Sequence, residues 1–137
     1  MNVLVYAQRG GSAQNERVGD WLEAVANGDA AFGLSTLVLS GMIRVVTHPS
    51  VFERPTPLAD AIAFAMSLRA RENCVELAPS ARHWSIFARL CASTGARGNA
   101  VPDAYLAALA IESGSEWITT DRGFARFEGL RWRHPLG

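Results

Sequence analysis

Short apolar runs alternate with helical patterns along the whole chain, and this alternation is the feature that most limits the possible folds. Residues 2–6 (NVLVY) are rich in β-branched and aromatic side chains and predict a buried strand. Val18, Trp21, Leu22 and Val25 then repeat at helical spacing. Strands that alternate with helices predict an α/β fold, namely a three-layer α/β/α sandwich with a mainly parallel central sheet.

The rest of the chain continues the same pattern as a single domain, residues 1–137, without internal repeats or linkers. We predict a short strand within 30–35, a buried central helix over 37–46, a helix from Thr56–Pro57 to about Arg71, a strand at 75–77, a helix around 84–91, a helix from Pro102 to about Gly114, and strands at 116–120 and 130–132. Leu58, Ile62 and Met66 fall on one face of the helix that follows Pro57.

Composition excludes several classes of function. The chain has 137 residues, a formal net charge of zero and 49% hydrophobic residues, which argues against a disordered tail or a strongly basic nucleic-acid coat. All 13 basic residues are Arg, so a Walker-type phosphate loop and a Schiff-base lysine are excluded. Cys74 and Cys91 lack C-x-x-C spacing, and no apolar stretch reaches membrane-spanning length, so we expect a cytoplasmic protein.

Two acidic residues stand at the ends of predicted elements. Asp103 lies in the first turn of a helix, and Asp121 follows an apolar strand, where parallel sheets bind their ligands. Two such carboxylates can hold Mg²⁺ or Mn²⁺, and a cation held in this way can activate water for phosphodiester hydrolysis. The alternatives are a helix-dipole or capping role for Asp103 and a turn role for Asp121.

Four segments then resemble a known family: NVLVYA at the start, DAYLAALA at 103–110, TTDRGFARF at 119–127 and LRWRHPL at 130–136. They are similar, in the same order, to PIN-domain ribonucleases, and most similar to the VapC-type toxins of type II toxin–antitoxin systems. The resemblance implies a Mg²⁺-dependent endoribonuclease, in which Mn²⁺ can substitute. It also implies an RNA substrate, a VapB-type antitoxin encoded beside the toxin, and a homodimer. The third and fourth acidic positions of the family fall on Asp103 and Asp121.

The chain departs from the family pattern at the other two acidic positions. The first would fall one position before Met1, so we expect a few residues, including an upstream Asp, to be lacking before the first strand. The second would lie near Ser40–Gly41, but residues 32–52 contain neither Asp nor Glu. Fewer negative ligands weaken the binding of a divalent cation. One alternative is therefore a PIN-fold module that binds an antitoxin or RNA without cleaving it, and another is a small ligand-binding α/β domain.

Further residues near the two acids could support the site. The resemblance implies that Asn2 orients the site through hydrogen bonds, although a strand-end polar role is equally open. Thr120 could offer its hydroxyl to a metal-bound water, or serve only as a good strand former. Arg122 and Arg126 flank Asp121 and could contact an RNA backbone or a partner, unless they are ordinary surface charges paired with neighbours such as Glu128.

The aromatic residues and histidines fit structural roles better than chemical ones. Phe124 and Phe127 should belong to the core and hold the turn after Asp121 in place. The three histidines form no spaced cluster and stand beside no Ser or Cys nucleophile, so we expect structural histidines. Glu112 should lie on a solvated face, away from Asp103.

Overall fold

A computed structural model describes residues 2–137 of the chain, as six α-helices, four strands and one 3-10 helix. The helices are α1 (Asn2–Arg9), α2 (Ala13–Asn27), α3 (Thr36–Val46), α4 (Leu58–Arg69), α5 (His83–Thr94) and α6 (Ala100–Ser113), with the 3-10 helix at Arg122–Arg126. The strands are β1 (Phe32–Leu34), β2 (Cys74–Glu76), β3 (Trp117–Ile118) and β4 (Trp132–Arg133). These elements form two compact units, an N-terminal one that ends at Glu76 and a C-terminal one from Leu77 to Pro135.

All the strands of residues 2–137 pair in parallel. In the N-terminal unit β1 pairs with β2, with Phe32 opposite Cys74, and in the C-terminal unit β3 pairs with β4, with Trp117 opposite Trp132. The predicted α/β class with parallel pairing is therefore confirmed. Over these residues the strands form two separate two-stranded sheets, because each strand is only two or three residues long.

The prediction of a strand at residues 2–6 is wrong, because Asn2–Arg9 is an α-helix. Its residues 3–5 are buried, and it packs against α2 and α3. Gly10 follows with φ of 61° and donates its N–H to the Tyr6 carbonyl at 2.9 Å, an arrangement that ends helices. A short apolar run does not distinguish strand from helix by itself, and here tertiary packing overrides the β-branched composition.

The predicted central helix is confirmed as α3. Ser35 caps it, since its side chain accepts a hydrogen bond from the Leu37 N–H at 3.2 Å. The buried face of this helix consists of Val38, Leu39, Met42 and Val46. Leu37 is half exposed and Ser40 is exposed, so α3 buries one face only, although its sequence is apolar almost throughout.

Helix α4 begins at Leu58, with Pro57 in the capping position. Thr56, where the predicted helix begins, lies before the cap and makes no capping hydrogen bond to the helix. Its hydroxyl donates a hydrogen bond to Gln8 Oε1 at 2.9 Å, and Arg9 Nη1 lies 3.2 Å from the same hydroxyl. Thr56 therefore connects the start of α4 to the end of α1.

The predicted apolar stripe of α4 does share one face, but that face is exposed. Leu58 and Met66 are 59% and 63% exposed, and Ile62 is 40% exposed. The buried face consists instead of Ala61, Ala65 and Leu68. Small side chains let neighbouring elements approach closely. Helix α4 therefore buries Ala61 and Ala65 beside Leu68, and leaves Leu58, Ile62 and Met66 in solvent.

The core of the C-terminal unit forms between α5, α6 and the segment after β3. Its buried members are Leu90, Ala104, Ala107, Ala108, Phe124 and Phe127. The prediction that Phe124 and Phe127 belong to the core is confirmed, since their rings lie 5.7 Å apart within it. His83 is structural, as expected: it is buried, and its Nε2 lies 2.9 Å from the Tyr105 carbonyl oxygen.

Residues 2–137 contain no helix that is long and apolar enough to cross a membrane. Cys74 and Cys91 are both half-buried free thiols. Burial raises the pKa of the Cys74 thiol, Arg69 acts against this rise and Glu76 adds to it. A raised pKa keeps this thiol protonated and unreactive near neutral pH.

Glu112 has a defined structural partner, contrary to the prediction of a solvated role. Its two carboxylate oxygens accept hydrogen bonds from the backbone N–H groups of Ser80 at 2.8 Å and Arg82 at 2.9 Å, just before α5. Desolvation raises its pKa, but these bonds and the nearby His83 outweigh that effect, so the pKa of Glu112 is lowered. The carboxylate thus anchors the segment that leads into α5.

We predict that this anchor is lost in acid. Because the pKa of Glu112 is lower in the folded state than in the unfolded state, its contribution is full above the ordinary value of 4.5 and disappears as the pH falls through the folded value. Glu112→Gln should therefore lower Tm near neutral pH, and the gap from the unmodified protein should narrow as the pH falls below 4.5 and through the lowered folded pKa. Thermal scans from neutral pH into acid measure this, and a gap that widens in acid would contradict it.

Candidate functional site

Asp103 is presented by a helix that is otherwise packed into the core. Helix α6 buries Ala104 and all of residues 106–110, because its sequence is rich in Ala and Leu. Asp103 lies in the first turn, and its side chain keeps 32% of its surface exposed. Burial on one side fixes the direction of the helix, so the carboxylate is held at the surface in a defined position.

Asp121 is held in place by its own loop. The buried Thr119 accepts a hydrogen bond from the Asp121 N–H on its Oγ1 at 3.0 Å. Asp121 Oδ1 in turn accepts from the Gly123 N–H at 2.8 Å and caps the 3-10 helix. The turn role considered for Asp121 is therefore real, but it occupies Oδ1 and leaves Oδ2 without a hydrogen bond from the described residues.

Arg126 joins the two acidic segments. Its Nη2 lies 3.2 Å from Asp103 Oδ2, and its Nη1 donates to the Gly123 carbonyl oxygen. The guanidinium carbon also lies 4.4 Å from the centroid of the Phe127 ring, in a cation–π contact. Arg126 thus brings together residues that are 23 positions apart in sequence, an arrangement that residue spacing did not indicate.

Gly123 is the residue that the side chains of both Asp121 and Arg126 approach. A Cβ atom placed on Gly123 would lie 2.9 Å from both Asp121 Oδ1 and Arg126 Nη1, closer than real Cβ contacts allow. The carboxylate and the guanidinium therefore approach this glycine together. The sequence signal for this arrangement is a glycine two positions after Asp121.

We expect Gly123→Ala to disturb this arrangement without straining the backbone, since φ at Gly123 is not positive. The added methyl group must displace the Asp121 carboxylate or the Arg126 guanidinium, which should cost about 1 kcal/mol of unfolding free energy. Urea denaturation measures the change. The matched control is Gly19→Ala in α2, where the nearest atom would be 3.6 Å away, and where the change should be neutral or stabilising.

Asn2, Thr120 and Arg122, which the sequence suggested as supporting or contact residues, have different surroundings. Asn2 lies at the start of α1 in the N-terminal unit, and its Oδ1 is buried without a hydrogen-bond partner among residues 2–137. Thr120 is half-buried, and its hydroxyl makes no hydrogen bond within the described chain. Arg122 is exposed and forms no ion pair there, and neither Arg122 nor Arg126 pairs with Glu128.

Two other arginines in the same part of the sequence have structural partners. Arg131 donates to the Gly114 carbonyl oxygen at 2.7 Å, beyond the end of α6. Arg133 pairs with Glu116 at 3.2 Å, at the surface of the β3–β4 pair. Of the four arginines between residues 122 and 133, therefore, Arg126 pairs with Asp103, and the Arg122 side chain has neither an ion pair nor a hydrogen bond among residues 2–137.

Asp103 and Asp121 carry carboxylate oxygens, the ligand type that a hard divalent cation prefers. Over residues 2–137 no group of three or more His, Cys, Asp or Glu side chains could hold a metal ion together. The site therefore offers two protein carboxylates, one bound to Arg126 and one that caps a helix, beside an exposed arginine. This chemistry suits a phosphate-bearing ligand together with a cation.

Comparison with known proteins identifies the family. The family described as "PIN domain" matches residues 1–130. Ribonuclease VapC43 of Mycobacterium tuberculosis is 46% identical over 136 residues, which are 99% of this chain and 92% of VapC43. Ribonuclease VapC25 of the same organism is 34% identical over 135 residues, or 98% of this chain and 95% of VapC25.

A solved structure agrees with this match at the level of the fold. VapBC2 from Rickettsia felis, bound to a DNA fragment from the promoter, matches with a TM-score of 0.67 and 19% sequence identity. The match covers 97% of this chain and 93% of the matched chain. The chain therefore belongs to the PIN-domain family, within its VapC group.

Proposed function

We propose that the protein is an endoribonuclease toxin of the VapC type, which hydrolyses RNA phosphodiester bonds with the help of a divalent cation. The observation that carries this proposal is the pairing of Asp103 with Arg126 beside the Asp121 loop, in a chain whose relatives are named ribonucleases. Two carboxylates and a cationic side chain at one surface are the groups that phosphodiester hydrolysis requires.

Asp103 and Asp121 would hold the cation, which we propose to be Mg²⁺, with Mn²⁺ as a substitute. The donor set fits, because both residues supply the oxygen ligands that these ions prefer, and Mg²⁺ commonly uses one or two carboxylates and keeps several waters. When bound, such an ion lowers the pKa of a coordinated water and neutralises charge on a phosphate. The fit is in donor chemistry, and two carboxylates form a weaker set than four would.

The residues of the chain itself position the substrate and the acids. Thr119 and Gly123 hold the backbone and one oxygen of Asp121, so its other oxygen points outward from a fixed loop. Arg122, which is exposed and without an ion pair in residues 2–137, is suited to an RNA phosphate. Thr120 has a side-chain hydroxyl without a hydrogen bond from the described residues, and we assign it a supporting role.

We further propose that the protein acts in the cytoplasm, where it pairs with a VapB-type antitoxin and forms a homodimer. The name of the Rickettsia structure describes a VapBC pair, and the exposed Leu58, Ile62 and Met66 of α4 support a protein partner for this chain. A line of large apolar side chains in solvent commonly marks an interaction surface. The mass of the toxin purified alone and with its antitoxin tests both partners.

The direct test is RNA cleavage by the purified protein with Mg²⁺, with Mn²⁺, and with EDTA. Bacterial total RNA serves as the substrate, and sequencing of the new 5′ ends locates the cleavage sites. We expect cleavage that needs the cation and stops in EDTA. Antitoxin or RNA binding without any cation-dependent cleavage would contradict the proposal, and would identify a binding module that has kept the fold but lost the chemistry.

A further inference from the structure

We propose that Arg126 is an internal counter-cation for Asp103, which the divalent cation must displace before it can bind. This inference rests on the proposed metal-dependent function and adds a control step to it. Arg126 Nη2 lies 3.2 Å from Asp103 Oδ2, so a guanidinium already occupies a carboxylate that would hold the metal. The affinity of the site for its divalent cation then depends on an exchange between that cation and the Arg126 guanidinium.

The position of the guanidinium is defined by the chain, and is more than a chance surface contact. It donates to the Gly123 carbonyl oxygen, lies 4.4 Å from the centroid of Phe127, and approaches the same glycine as the Asp121 carboxylate. The Phe127 ring is buried, so it cannot move aside. Arg126 therefore lies at the place where the segments that bear Asp103 and Asp121 meet.

Elementary electrostatics makes the two positive groups competitors. A guanidinium and a divalent ion repel each other at short distance, and both are attracted to the Asp103 carboxylate. The pair is only partly buried, with 35% of the Arg126 side chain and 32% of the Asp103 side chain exposed. An ion pair exposed to this degree is weak enough to be exchanged, so the guanidinium acts as a replaceable ligand.

The alternative is that Arg126 only stiffens the loop around Asp121. The two interpretations make opposite predictions for metal affinity. If Arg126 competes with the cation, then removal of its charge raises the affinity. If it only holds the loop, then its removal loosens Asp121 and lowers the affinity, or leaves it unchanged.

The experiment measures Mn²⁺ binding from the electron spin resonance signal of free Mn²⁺, without RNA. We expect Arg126→Gln to bind Mn²⁺ about 2- to 5-fold more tightly than the unmodified protein, the range expected when a partly exposed ion pair is lost. Arg126→Lys, which keeps a positive charge, should remain nearer to the unmodified protein. Arg133→Gln, at an arginine that pairs with Glu116 at 3.2 Å, is the matched control for the general loss of a charge and should leave the affinity nearly unchanged. Asp103→Asn should abolish binding at this site.

A second measurement uses the unmodified protein, in case Arg126→Gln fails to fold. NMR of arginine side-chain N–H groups should show the Arg126 signals shift as Mg²⁺ is added, and should show no such shift in Asp103→Asn. Tighter Mn²⁺ binding by Arg126→Gln, or the Arg126 shift, supports the inference. Binding that depends on Asp103 but is unchanged or weaker in Arg126→Gln, without an Arg126 shift, overturns it and leaves the nuclease proposal standing. If no form of the protein binds Mn²⁺, then the metal-dependent function fails, and the inference fails with it.

Discussion

Replacing Asp103 with Asn is expected to lower the rate of cation-dependent RNA cleavage by about 100-fold or more, the loss typical when one charge-stabilising group is removed. Asn keeps the size of the side chain but loses the negative charge that a divalent cation needs. Asp103 is also the ionic partner of Arg126, so the change removes the ion pair that links α6 to the segment after Asp121. Single-turnover cleavage of one RNA with saturating Mn²⁺ measures the effect.

Glu116→Gln is the matched control for this substitution. Glu116 is an exposed carboxylate of the same unit, and it pairs with Arg133 at 3.2 Å, the distance that also separates Asp103 and Arg126. Loss of its charge should leave cleavage within about 2-fold, because an exposed ion pair away from the site contributes little. Equal rates for Asp103→Asn and Glu116→Gln would show that Asp103 has no part in the chemistry.

Replacing Phe124 with Ala should lower the free energy of unfolding by about 3–5 kcal/mol, the usual cost of truncating a buried aromatic ring. Phe124 is 5% exposed, and its ring lies 5.4 Å from Trp117 and 5.7 Å from Phe127. Since domains of this size are stable by only about 5–15 kcal/mol, the variant should lose a large part of its stability. Urea denaturation followed by tryptophan fluorescence measures the loss.

Trp84→Ala is the control for truncation of an aromatic side chain. Trp84 is 71% exposed and contacts Phe87 at 5.4 Å between ring centroids, so its removal should cost less than about 1 kcal/mol. A similar loss in both variants would mean that Phe124 does not belong to a well-packed core. Phe124 lies between Asp121 and Arg126 in the chain, so these two residues are held in place only when Phe124 is packed. The RNA-cleavage activity of Phe124→Ala should therefore fall in parallel with the fraction of the variant that is folded.

The positions of Asp103 and Asp121 in the sequence were enough to select them as candidate site residues. Asp103 and Asp121 stand at the ends of apolar elements, a position that the order of residues reveals because helix and strand patterns are local. The same local patterns predicted the α/β class and the core positions of Phe124 and Phe127. These features depend on the periodicity of apolar residues and on neighbours within a few positions, and both are visible in the sequence.

The tertiary structure alone decided which face of an element is buried and which distant groups meet. Residues 2–9 form a helix although they read as a strand, because packing against α2 and α3 determines their conformation. Helix α4 buries its alanines and exposes Leu58 and Met66, since the shape of the neighbouring elements selects the face. Arg126 and Asp103 form an ion pair although they are 23 positions apart in sequence. No local pattern encodes such a contact, because it forms only when α6 and the Asp121 loop have packed around the same core.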